Sequence, residues 1–88
     1  MLYKSVKAIL DISKEKKVDV LVARDMLIAE NTEDKAEIVK ASDFIHVHYA
    51  AVTKCRRMGD DEKIEKLCEL QQTDAVAFSA LLEEIKAM

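Results

Sequence analysis

Residues 54–63 read KCRRMGDDEK, and their reading decides the fold. Lys54, Arg56 and Arg57 come first, then the chain's single glycine, Gly59, and then the acids Asp60, Asp61 and Glu62. Cations suit the negative C-terminal end of a helix dipole and acids the positive N-terminal end. A glycine between them sits where a left-handed residue closes a helix. The stretch therefore predicts a helix that stops at Gly59 and another that starts at Asp60 or Asp61, which is a helical hairpin.

Working upstream, ENTEDKAE (residues 30–37) supplies a helix start, with Asn31 or Thr32 as cap and Glu33 and Asp34 in the first turn. The third helix is then expected to run to about Met58. Downstream, Ile64, Cys68, Gln71, Ala75, Phe78, Leu82 and Ile85 follow alternating steps of four and three, a heptad seam. Ile38, Ala41, Ile45, His48, Val52 and Cys55 do the same in the third helix. Folded back at Gly59, the seams pair Ile38 with Leu82, Ala41 with Phe78, Ile45 with Ala75, Val52 with Cys68 and Cys55 with Ile64. The remaining layer sets His48 against Gln71, the only polar residues of either seam. A buried polar group without a partner costs about 1–3 kcal/mol, so a mutual hydrogen bond in a buried polar layer is the expectation.

The N-terminal part is simpler. Leu2, Val6 and Ile9 share one face of a short helix over residues 2–12. SKEKK (13–17) interrupts the pattern, either as a turn with Ser13 as a cap or as one solvated helical turn. Residues 18–30 are apolar nearly all round, which predicts a helix buried between neighbours. Phe44, Val47, Ala51 and Met58 form a second stripe on the third helix, expected to meet that segment. The fold class is all-α: a single domain over 1–88, built as a small antiparallel three- or four-helix bundle with its C-terminal hairpin turning at Gly59.

Composition supports this reading. Half of the 88 residues are hydrophobic, with no proline and four aromatic side chains, Tyr3, Phe44, Tyr49 and Phe78. A chain of this size buries only about two thirds of its unfolded surface, so self-association would add to a thin margin. The net charge is −3 and the pI about 5.4, which argues against nucleic-acid binding. The most apolar run, VDVLVARDMLIA, is broken by Asp19, Arg24 and Asp25 and reads as neither signal nor membrane span. Two cysteines do not make a secreted disulfide framework. A cytoplasmic protein is expected.

Each candidate for chemistry meets a physical objection. His46 and His48 point about 200° apart on one helix and cannot grip the same ion. His46 with Asp43 gives two ligands where a structural zinc site wants four, so no metal and no cofactor are expected. Cys55 lies beside Arg56 and Arg57, and nearby cations lower a thiol pKa. His48 is about 10 Å along the axis from Cys55, too far to serve as its base, and on the seam a free cysteine acts as a small hydrophobe, so Cys55 and Cys68 are expected to be packing residues. Lys54, Arg56 and Arg57 are the best candidates for an anion site, although cations at a helix C-terminus stabilise the helix by about 0.3–1 kcal/mol with no ligand at all. There is no phosphate-cradling loop and no nucleophile–base motif.

The expectation is a non-enzymatic helical binding protein that acts through protein–protein interaction, as a regulator, adaptor or inhibitor, with another protein or itself as partner. The second apolar stripe and the strip of His46, Tyr49 and Arg57 are its expected contact residues. The alternative is a helical oligomer that binds a small anionic ligand, such as a nucleotide, through Lys54, Arg56 and Arg57.

Overall fold

A computed structural model describes residues 2–88, all helix and turn, with no strand among them. The elements are α1 (Leu2–Lys16), α2 (Val20–Glu30), a single 3-10 turn (Thr32–Asp34), α3 (Lys35–Val47), α4 (Tyr49–Arg57), α5 (Asp61–Thr73) and α6 (Ala75–Ala87). They form two compact units, one ending at Val47 and the other beginning at His48.

In the first unit α1, α2 and α3 each pack on the other two. Leu2, Val6, Ile9 and Leu10 recur at the spacing of one helical face and are buried. They share the core with Ala23 of α2 and with Ile38, Ala41, Phe44 and Ile45 of α3. SKEKK is the last turn of α1. Lys17 takes a left-handed φ of 56°, and the Val18 amide reaches back to the Ser13 carbonyl at 3.1 Å. Ser13 is no cap: its hydroxyl donates to the Val18 carbonyl at 2.6 Å and secures the turn. Asp19 caps α2, its Oδ1 accepting the Val20 amide at 2.7 Å. Asn31 serves the end of α2 rather than the start of α3, since its side-chain amide donates to the Leu27 carbonyl.

In the second unit α4, α5 and α6 pack on one another. Ala51, Val52, Cys55, Ile64, Leu67, Cys68 and Ile85 make its core. Gly59 has φ 71°, the Asp60 amide bonds the Cys55 carbonyl at 2.9 Å, and the Gly59 amide bonds Arg56 at 3.1 Å. That pair of bonds around a left-handed glycine is a Schellman closure. Asp60 then caps α5, accepting the Lys63 amide.

Two expected long helices are each two shorter ones. The third breaks at His48 (φ −111°, ψ 31°) and the last at Asp74 (φ −156°, ψ 93°). The cause at Asp74 is visible: its side chain accepts the Ala77 amide at 3.1 Å, and its own amide bonds the Leu70 carbonyl at 2.8 Å. Aspartate competes well for a cap and poorly for a helix interior. The heptad seams are therefore interrupted. Ile38, Ala41 and Ile45 are buried in the unit where α3 packs on α1 and α2, while Ala75 is exposed and Phe78 and Leu82 are half-buried. In the half of the seams nearest Gly59, Val52, Cys55, Ile64 and Cys68 are all buried.

Candidate interaction surface

The expected buried pair of His48 and Gln71 is not formed. Gln71 is exposed near the end of α5, and His48 is half-buried at the N-terminal cap of α4. With the helix broken there, the imidazole meets the ring of Phe78 edge-on, with centroids 5.1 Å apart. Burial, with a smaller push from the Lys86 ammonium, holds the His48 pKa below its ordinary value.

The basic cluster does not converge on one point. Lys54 donates its ammonium to the carbonyl oxygens of Lys86 and Met88 at the end of α6. Arg56 pairs with Asp61, Nη1 to Oδ2, at 3.2 Å. Asp60 and Lys63 hold each other at 2.9 Å, and that hydrogen bond lowers the Asp60 carboxyl pKa. Arg57 is exposed, as are His46 and Tyr49.

The cysteines are packing residues, as expected, and the arginines beside Cys55 do not activate it. Cys55 and Cys68 are free thiols, both buried. Burial, followed by Asp60, raises the Cys55 thiol. Burial, followed by Glu65, pushes Cys68 up to about 12. Neither thiol is poised to ionise near neutrality. Among the described residues no group of three His, Cys, Asp or Glu side chains could hold a metal ion, and no helix is long and apolar enough to cross a membrane.

The feature that stands out lies on α2. This helix was expected to be buried on all sides, yet it buries only Ala23. Leu21, Val22 and Met26 are 44%, 47% and 38% exposed. At 100° per residue they span about 140° of the helix surface, with Asp25 and Ala29 between them; Leu21 lies nearly opposite Ala23, and Met26 about 60° from it. The exposed Asp25 carboxylate is paired with Arg24 of the same helix at 2.9 Å. Of the second stripe on the third helix, Phe44 and Ala51 are buried, while Val47 and Met58 are exposed. A short apolar helix cannot bury every face when only two neighbours pack on it. The excess of apolar positions in residues 18–30 was the signal in the sequence. No family model matches this chain, and no curated protein or solved structure matches it either.

Proposed function

We propose that the chain is a non-enzymatic helical binding protein that acts by protein–protein contact, and that the exposed face of α2 associates with the same face of a second copy. The observation that carries this is the side-by-side exposure of Leu21, Val22 and Met26 on a helix already anchored by Ala23. Contiguous apolar side chains in water are the usual mark of a docking surface. The charge on that helix favours a copy of itself. Arg24 and Asp25 put one cation and one anion next to each other. In an isologous pair each sign finds its opposite, whereas a strongly acidic or basic partner would meet one like charge for each opposite one.

Three half-exposed side chains fall well short of the roughly 800 Å² per partner of a stable interface. The association is therefore expected to be concentration-dependent, in the service of a regulator or adaptor rather than a permanent assembly. Light scattering against concentration tests it. The mass should rise from the 10.0 kDa of one chain toward twice that value, and Leu21→Ser combined with Met26→Ser should abolish the rise without unfolding the chain. A wild-type mass fixed at one chain over the whole range would refute self-association. A rise in melting temperature with nucleotide or phosphate that disappears in salt would favour Lys54, Arg56 and Arg57 as an anion site instead.

A further inference from the structure

Helix α2 carries three charged residues, Arg24, Asp25 and Glu30. At 100° per residue the positions follow one another around the helix as Arg24, Leu21, Asp25, Ala29, Val22 and Met26. Arg24 lies about 60° to one side of Leu21 and Asp25 about 40° to the other. Both charges therefore sit at the Leu21 edge of the apolar face. Glu30 is exposed beyond Met26, at the opposite edge.

The ionic contact on this edge is local. Arg24 reaches the Asp25 carboxylate through Nε at 3.1 Å and Nη2 at 2.9 Å, both on the one oxygen Oδ1. The Asp25 side chain is 67% exposed and that of Arg24 28%. An exposed pair on one helix adds little to stability, so it does not account for an acid standing inside an apolar face. A guanidinium has five N–H donors, and Asp25 engages two of them. The same group has the capacity to hold a second carboxylate.

Two copies of one helix face related by a two-fold axis have two limiting arrangements. If the axis runs along the helices, the copies are parallel, and the Leu21 edge of one lies beside the Met26 edge of the other. Each ion pair then stays within its own chain. If the axis crosses the helices, the copies are antiparallel, and the two Leu21 edges lie on the same side. With the axis near the middle of the stretch from Leu21 to Ala29, each Arg24 comes level with the partner's Asp25. The antiparallel arrangement also opposes the two helix dipoles.

We infer that α2 pairs antiparallel with α2 of a second copy, and that Arg24 and Asp25 are the specificity residues of this contact, joined by reciprocal ion pairs between the chains. The inference rests on the self-association proposed above and adds its orientation and its charge pattern. Four alternating charges at one edge accept a copy of the same chain, because each cation meets an anion of the partner. A partner helix without that alternation leaves one of the two charges covered and without an opposite.

Light scattering against concentration on the full chain, as wild type, Arg24→Glu and Asp25→Lys, tests it. Arg24→Glu gathers four carboxylates at the shared edge and Asp25→Lys four cations, so each variant alone should dimerise about tenfold or more weakly than the wild type. An equal mixture of the two should recover the wild-type association, because each supplies the charges the other lacks. Glutamate and lysine are good helix formers, so both variants should keep the helical circular dichroism of the wild type. Should either fail to fold, the wild type still decides: its association should weaken as salt rises from about 0.1 to 1 M, and association unmoved or strengthened by salt would overturn the ion pairs. Folded variants that associate alone as tightly as the wild type, or a mixture no tighter than its components, would overturn the charge pattern and leave self-association through the apolar face standing. A wild type that stays a single chain overturns both.

Discussion

Helices α2 and α5 are of similar length and opposite design. α2, VLVARDMLIAE, is mostly apolar and buries one residue, Ala23. α5, DEKIEKLCELQQT, is mostly polar and buries three, Ile64, Leu67 and Cys68. In α5 Ile64, Leu67 and Cys68 fall on one stripe that two neighbouring helices bury, and Leu70 alone is left half-buried. In α2 they encircle the axis, and two neighbours leave Leu21, Val22 and Met26 in solvent. Hydrophobic content thus says how much surface a helix would bury, and its periodicity says how much it can. The surplus on α2 is what makes this helix the candidate contact surface.

The most forceful way to break that contrast is to truncate one leucine on each helix. Leu67 is fully buried, so Leu67→Ala should destabilise the fold by about 2–5 kcal/mol in urea unfolding. Leu21→Ala should cost less than about 0.5 kcal/mol at concentrations where the chain is monomeric, the usual range for a surface site. A large cost at Leu21 in the monomer would mean that α2 is covered within its own chain, and the interaction surface would have to be sought elsewhere.

A middle-sized effect comes from the two left-handed helix ends, which share one hydrogen-bond pattern. Val18 reaches back to Ser13 after Lys17, and Asp60 reaches back to Cys55 after Gly59. A Cβ at Gly59 would meet nothing within 4 Å, so Gly59→Ala tests the backbone alone. It should cost about 1 kcal/mol, because a left-handed φ is unfavourable for any residue with a Cβ. Lys17 already bears that cost, and Lys17→Gly should therefore stabilise the chain by about 0.5–1 kcal/mol. Equal and opposite shifts in the two urea midpoints would show that the ends are energetically alike. No gain at Lys17 would mean that the Ser13 hydroxyl bond to Val18, absent at Gly59, already offsets the strain there.

These same residues show why part of the fold was legible and part was not. Gly59 and its flanking charges advertise a helix end in composition alone, and the structure places the left-handed residue and the α5 cap there. Lys17 reaches the same geometry with a residue that prefers helix interiors, so SKEKK left a turn and a further helical turn both open. Asp74 looked like one more polar residue beside a heptad seam. Its role as a cap depends on a local hydrogen bond to Ala77 that periodicity cannot see. The steps of four and three continue across both breaks because a one-residue corner does not disturb the numbering on either side. The seam pairing therefore predicted long helices where shorter ones form. Burial of His48 with Gln71 went with it, and sequence proximity did not tell how the basic cluster spreads. Lys54 and Arg56 are close in sequence, but one reaches α6 and the other α5.

The smallest expected effect sharpens the contrast between the corners. Asp74 holds its break with a hydrogen bond, whereas His48 contributes a ring packed on Phe78. That packing favours the neutral imidazole: burial first, then Lys86, lowers the His48 pKa in the folded chain. A histidine depressed in this way binds fewer protons folded than unfolded, so its contribution is fully present above the unfolded value of about 6.5. It is lost as pH falls from there through the folded value. Because the ring is only half-buried, the loss in stability should be slight, and the clearer measurement is the titration of the imidazole itself. Its NMR midpoint should lie below that of the same residue in urea, and Lys86→Ala should move it only part of the way back, since burial is the larger cause. A midpoint fully restored by Lys86→Ala would mean that charge, not packing on Phe78, governs this corner, and the ring would then be a weak restraint on the break.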